Sequence, residues 1–303
     1  MRTSLDHLPQ DKRRELEHVV GVLTDGFEAA IAGGTQPWRR NGQILKVILF
    51  GSFGRGDWVD EPENGYASDW DLLIVVSHEK LTDIAEFWYA AEDRLLHDPA
   101  VGRTVNIIVH TLAEVNQALT KGEYFWADII RDGVMLRELP GHPLAQPKPP
   151  TPAEAYAMAK RYYDERFPDI GDWIKLATFA QGEDAESLRW RKKAAFNLHQ
   201  AVETAYACFL LVWTFHFPRS HNVKFLRSLA EDRDRRLVEA WPRESRIDRR
   251  RFELLKRAYV EARYSDAYEI SAEDLVALSR AADRLRDIVD VLCQERLAKL
   301  RAR

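Results

Sequence analysis

Two hydrophobic patterns divide the chain. In the first half, short runs rich in Val, Ile and Leu at residues 44–50, 72–76, 105–109 and 134–136 alternate with stretches of helical spacing at residues 12–32, 81–96 and 112–119. A short β-branched run reads as a strand, and apolar positions recurring every three or four residues read as a helix. This half therefore predicts an α+β domain with a small mixed sheet. From residue 153 onward no run reads as a strand. Apolar or amphipathic stretches at residues 153–179, 188–215, 223–230, 249–263 and 272–297 predict an all-α bundle of about five helices. Six of the thirteen prolines lie between Pro140 and Pro152. Proline removes a backbone donor and biases its neighbour towards extended conformations, so this stretch predicts a linker between domains at residues 1–139 and 153–303.

The length agrees, since 303 residues make about two domains at roughly 150 residues each. No apolar run approaches the roughly 18 residues of a membrane span, which predicts a cytoplasmic protein without a membrane partner. Cys208 and Cys293 sit far apart in apolar helical patterns and predict buried structural thiols, not metal ligands or a disulfide framework. The net charge of −4 hides an asymmetry: residues 1–150 carry 15 basic against 23 acidic residues, the remainder 29 against 25. So small a basic excess gives RNA only weak support as a partner.

Candidate chemistry concentrates between residues 44 and 76. The first strand runs into Gly51-Ser-Phe-Gly-Arg-Gly56, and the second opens with Ser68-Asp69-Trp-Asp71. Gly51, Gly54 and Gly56 let the backbone approach a triphosphate without a Cβ clash. The Ser52 hydroxyl and neighbouring amides can donate to phosphate oxygens, a helix starting here would add its positive end, and Arg55 supplies a charge-assisted donor. Asp69 and Asp71, two apart on a strand, face the same way and can bind Mg²⁺; as ligands they are expected to be exposed. The alternative makes Asp69 a turn acid and Asp71 a satisfied edge carboxylate.

Together these residues resemble the minimal nucleotidyltransferases of the DNA polymerase β superfamily over about residues 40–138. The resemblance implies that the turn carrying Gly51, Ser52, Gly54, Arg55 and Gly56 holds the β- and γ-phosphates of ATP or another nucleoside triphosphate, and that Asp69 and Asp71 hold two Mg²⁺ ions. The sequence departs from the superfamily twice. An acidic, polar insert at residues 57–67 lengthens the gap and is expected to form a lid or rim. Asn106 fills the catalytic slot between Val105 and Ile107 where the superfamily carries a third carboxylate; an amide can ligate Mg²⁺ but cannot act as a base. His110, on the same strand face, reads as a surface residue, and the aromatics of residues 122–133 read as core packing.

In the second half, residues 191–212 read as one long helix with His199 and Glu203 on a single face. The turn Phe217-Pro-Arg-Ser-His221 and, later, Ala262-Arg263-Tyr264 follow. This combination resembles HEPN (higher eukaryote and prokaryote nucleotide-binding) domains over about residues 153–297. Many HEPN domains are ribonucleases with an arginine followed, after four to six residues, by a histidine. That spacing occurs at Arg2/His7, Arg13/His18, Arg103/His110 and Arg137/His142, all outside this half, and reads as chance. Beyond Arg263 the matching position is Tyr268, a poor base near pH 7, so RNA cleavage in that manner is not expected. Nine arginines interleaved with six acids at residues 227–251 read as a solvated, ion-paired surface.

The two resemblances imply an enzyme, a Mg²⁺-dependent nucleotidyltransferase that moves AMP from ATP to a protein tyrosine or another hydroxyl, coupled to a HEPN domain as in toxin–antitoxin pairs. The acceptor would be the protein's own helical domain, at Tyr264 or Tyr268, within one chain or across a homodimer. Two other readings stay open: transfer to a small molecule, as in aminoglycoside-modifying relatives, and a non-catalytic nucleotide sensor.

Overall fold

The computed structural model describes residues 1–61, 66–184, 187–218 and 220–302. The chain forms two compact units, Met1–Pro149 and Pro150–Arg303.

The strands of the first unit are β1 (Ile44–Phe50), the two-residue β2 (Asp60–Glu61) and β3 (Tyr66–Ala67), β4 (Trp70–Val76), β5 (Val105–Thr111) and β6 (Val134–Glu138). Four of them make a mixed sheet in the order β5-β4-β1-β6: β4 and β5 are parallel, and β1 is antiparallel to β4 and β6. The helices are α1 (Gln10–Ile31), α2 (Pro37–Arg40), α3 (Gly51–Arg55), α4 (Ile84–Phe87), α5 (Tyr89–Leu96), α6 (Leu112–Lys121) and α7 (Tyr124–Asp132). Every residue of β1 and β4 is buried, because the sheet is covered on both faces. Val47, Leu49, Leu72 and Ile74 join Leu16, Val19 and Phe27 of α1 and Leu95 of α5 in one core. On the other face Phe50 meets Phe125 of α7 edge-on at 5.8 Å, and α6 packs on β4 and β5. Doubly covered strands read as continuous apolar runs rather than as alternation, which is the pattern of residues 44–50 and 72–76.

Two expectations change. β4 begins at Trp70, two residues later than the expected opening at Ser68, so Asp71 lies within the sheet and Asp69 just before it. The helix expected over residues 81–96 is broken into a 3-10 turn, Glu79–Thr82, followed by α4 and α5. Asp83 caps α4 by accepting from the Glu86 amide, and the buried Trp88 indole between the two helices donates to the Leu81 carbonyl at 2.8 Å. The proline-rich stretch stays with the first unit as far as residue 149, where the Lys148 amide donates to the Leu119 carbonyl at 3.0 Å. The insert expected as a lid or rim is described only at its base; residues 62–65 lie outside the described residues.

The second unit is helical, with α8 (Pro152–Glu183), α9 (Leu188–Thr214), α10 (Val223–Arg233), α11 (Arg246–Tyr264) and α12 (Ala272–Arg301), and a 3-10 turn at Arg235–Ala240. Thr151 and Glu154 form a capping box that starts α8, with Pro152 at its first position. α9 packs against the other four helices, which explains a helix that is apolar on most of its circumference. Cys208 and Cys293 are buried and free, as expected, yet they meet: a hydrogen bond with Cys208, together with burial, pushes the Cys293 thiol well up.

The arginine-rich stretch is ion-paired but not all surface. Arg236 lies half-exposed between Asp234 and Glu295, whereas Arg227 and Glu231 are buried, with Nε and Oε1 2.6 Å apart. Arg243 also pairs with Glu231, and Arg227 stacks on Phe252. A buried charge that loses a partner costs far more than an exposed one. Arg227→Met should therefore destabilise the protein by roughly 2–3 kcal/mol, Arg243 compensating in part, and Arg236→Met by less than about 1 kcal/mol, as read by urea unfolding.

Candidate functional site

β1 ends in an extended Phe50 and turns at Gly51, φ +69°, directly into the five-residue α3. A Cβ at Gly51 would press on the Asp71 carboxylate, 3.2 Å from its Cγ and nearer still to Oδ2. Glycine is thus required here both for its backbone conformation and for the room it leaves. Phe50 is paired with Asp71 across β1 and β4, and Asp71 with Asn106 across β4 and β5. The end of β1 and the starts of β4 and β5 therefore meet at one end of the sheet. There the Asn106 amide donates to Asp71 Oδ1 at 3.0 Å and lies 3.5 Å from Asp69 Oδ2.

The fold brings the Gly51–Gly56 turn, Asp69, Asp71 and Asn106 together, but not as exposed groups. Asp69, Asp71 and Asn106 are 6, 2 and 5% exposed, because β1 and β5 flank Asp71 on either side. Two buried carboxylates held beside one amide nitrogen repel each other and gain from a cation. Their hard oxygens suit Mg²⁺, which is commonly held by one or two carboxylates and completed by phosphate oxygens and water. Among the described residues no group of three or more His, Cys, Asp or Glu is placed to hold a metal.

Ser52 is buried within α3, and Gly56 closes the helix with φ +93°. Arg55, at its exposed end, is paired with Asp57 at 3.1 Å. His110 is not a surface residue. Its side chain is 13% exposed, lies 3.3 Å from Glu114 and meets Trp126 edge-on at 5.0 Å. Phe125 and Trp126 are core residues, as expected.

Sequence reasoning missed residues that reach this site from a distance. Arg2 donates to the carbonyls of Gly54 and Asp132, and the His7 Nε2–H donates to the Phe53 carbonyl at 2.8 Å. The bonds to Phe53 and Gly54 occupy carbonyls at the end of α3 that a short helix leaves open, and the bond to Asp132 ties Arg2 to the end of α7. Arg103, 3% exposed, stacks on Phe53 and Trp70. All three belong to Arg/His spacings that read as chance. They serve the turn rather than a nuclease, and no local pattern marks them.

In the helical unit His199, Glu203, His221, Tyr259 and Arg263 converge. His221 donates through Nδ1 to Glu203, 3.1 Å from each carboxylate oxygen, and stacks on Tyr259 at 4.2 Å. The Arg263 guanidinium packs on the same Tyr259 ring at 4.6 Å. Burial raises the Glu203 pKa, and His221 partly offsets this. His199 is fully buried, with no hydrogen-bond partner for either ring nitrogen among the described residues and Glu203 3.7 Å away. Arg219 of the Pro-Arg-Ser-His turn lies outside the described residues. A groove of about 680 Å³ beside Arg263 is lined by Arg189, Lys192, Lys193, Phe196 and Tyr264. Tyr264 is 76% exposed, while Tyr268 is fully buried and donates to the Leu254 carbonyl at 2.9 Å. Tyr268 is therefore neither an acid–base group nor an accessible acceptor.

By fold, the protein is a small mixed-sheet α+β unit followed by a helical bundle. A family model for the HEPN domain matches residues 173–293, so a HEPN domain forms most of the second unit. No curated protein matches the chain. The first unit is compatible with a nucleotidyltransferase fold. Among the described residues no helix is long and apolar enough to cross a membrane.

Burial lowers the His199 pKa from the ordinary 6.5 to about 4. The unfolded chain takes up a proton below about pH 6.5 while the folded ring stays neutral, so stability is complete above that pH and is lost as the pH falls towards 4. Between pH 7 and pH 4 the wild type should lose on the order of 3 kcal/mol relative to His199→Leu in urea unfolding. Parallel pH profiles for the two proteins would show instead that the ring is solvated.

Proposed function

We propose that the first unit is a Mg²⁺-dependent nucleotidyltransferase that moves a nucleoside monophosphate, AMP in the first instance, from a triphosphate to a hydroxyl acceptor in the cytoplasm, and that the HEPN domain binds or presents the target, as in a toxin–antitoxin pair. The observation that carries this reading is the contact between the Gly51 turn and the Asp71 carboxylate, with Asp69 and Asn106 at the same end of the sheet. Phosphate-binding turn and acid pair are then one site.

Asp69 and Asp71 would hold the metal, which when bound neutralises the triphosphate and polarises its α-phosphorus. Ser52 and the amides of the Gly51 turn would bind phosphate oxygens, and Arg55 would add its charge by exchanging Asp57 for phosphate. The acceptor oxygen bonds to the α-phosphorus as the bond to pyrophosphate breaks. Its proton leaves to a carboxylate or to water, since the Asn106 amide cannot take it. That limitation favours a second reading, a nucleotide sensor that binds without transfer.

Calorimetry with Mg-ATP and a pyrophosphate-release assay separate the two. Asp71→Asn should abolish binding, and unchanged affinity would remove the site. Asn106→Asp should raise any pyrophosphate release by about tenfold or more, supplying a base. Tight binding without release in both the wild type and Asn106→Asp would establish the sensor.

If the HEPN domain is the acceptor, exposure selects Tyr264. Peptide mapping after Mg-ATP treatment should place AMP on Tyr264, with the label lost in Tyr264→Phe and kept in Tyr268→Phe. A label elsewhere would exclude this acceptor.

A further inference from the structure

We propose that Arg103 is a positioning residue that sets the aspartate-bearing segment and the Gly51 turn in register with each other. This rests on the reading of Asp69 and Asp71 as metal ligands. Apart from Glu15 of α1, the contacts of the buried Arg103 side chain fall on neighbours of site residues or on the base of the insert. Its Nη1 donates to the Ser68 carbonyl at 3.1 Å. That oxygen belongs to the peptide plane that includes the Asp69 nitrogen, so fixing it fixes the direction in which Asp69 leaves the backbone. The guanidinium lies 4.8 Å from the ring centre of Phe53, next to Ser52, and 5.5 Å from that of Trp70, between the two aspartates. Phe53 and Trp70 themselves pack at 4.0 Å. One planar cation thus backs both halves of the site.

The charge is held from two sides. Asp60, at the base of the insert, lies 3.4 Å from Nη2 through both carboxylate oxygens and also pairs with Lys12 at 2.9 Å. Glu15 of α1 approaches Nε at 3.5 Å. Val59 and Ser68 are bonded in both directions, Ser68 N–H to the Val59 carbonyl at 2.8 Å and Val59 N–H to Ser68 Oγ at 2.9 Å. The base of the insert and the start of the aspartate segment therefore move as one piece, with Arg103 as their common anchor. Lysine cannot replace it, because a point charge neither forks between Ser68 and Asp60 nor spreads its charge over two rings.

The test uses the full chain with Mn²⁺ alone as the probe, followed by electron paramagnetic resonance, so no turnover is needed. Arg103→Lys and Arg103→Met should each weaken Mn²⁺ binding about 10- to 100-fold, as loss of an outer-shell support does. Asp60→Ala, which removes a partly exposed partner while Glu15 stays beside the guanidinium, should weaken it roughly threefold with the protein still folded. Circular dichroism shows which variants fold, and if neither Arg103 variant does, Asp60→Ala decides alone. Binding within twofold of wild type in folded Arg103→Lys, or unchanged binding in Asp60→Ala where that variant decides, overturns the proposal. If the wild type binds no Mn²⁺, the metal-site reading itself fails. Amide exchange then decides the positioning role: Arg103→Lys should speed exchange at Ser68 and Trp70 by roughly tenfold, and unchanged exchange overturns it.

Discussion

Two carboxylates lie almost out of water within reach of a single amide nitrogen, and much of the first unit is arranged around that burial. A buried charge is costly unless paired or hydrogen-bonded, and two of one sign cost more. Asn106 donates to Asp71 and approaches Asp69 without adding a charge of its own. An acid at this position would bring a third negative group to the same end of the sheet. The parallel pairing of β4 with β5 sets the amide opposite Asp71, and the antiparallel pairing of β4 with β1 sets the glycine turn on its other side. The strand order β5-β4-β1 is therefore what gathers the site.

The turn in that arrangement cannot hold itself. A five-residue helix has few internal hydrogen bonds and several open carbonyls. Two of these are filled by Arg2 and His7, and the Arg2 backbone is itself paired with β6, its amide to Gly133 and its carbonyl to Met135. The segment before α1 thus ties the turn to the edge of the sheet, while Arg103 ties it to the aspartate segment. A site assembled from strand ends becomes rigid through side chains that carry none of its chemistry.

Much of this was legible in the sequence, for identifiable reasons. Doubly covered strands leave continuous β-branched runs, and β1 lies where its run lies. Asp69 and Asp71 stand at the mouth of such a run, so their common location followed from spacing. Their burial did not, because aspartate is usually exposed and only the neighbouring strands show that Asp71 is enclosed. The break at Trp88 was hidden because α4 and α5 keep helical spacing on either side of it. Cys208 and Cys293, like Arg2, His7 and Arg103, act through contacts between residues remote in sequence, which periodicity cannot report. Tyr264 and Tyr268 looked equivalent because the chain leaves helix between them, and outside a helix spacing no longer predicts facing.

The difference between those two tyrosines shows how the same functional group acquires opposite roles. Burial raises the Tyr268 pKa, and its hydroxyl is spent on the Leu254 carbonyl, so it closes the bundle after α11. Tyr264, only four residues earlier in the chain, stands in solvent with the Arg263 guanidinium 4.9 Å from its ring and a groove lined by Arg189, Lys192 and Lys193 beside it. Positive charge around a phenol attracts anions. A nucleotide carrying negative phosphates would meet attraction at Tyr264 and a packed interior at Tyr268. Within the HEPN domain, then, the selection between the two hydroxyls is made by the end of α11, where the chain turns one aromatic outward and the next into the core.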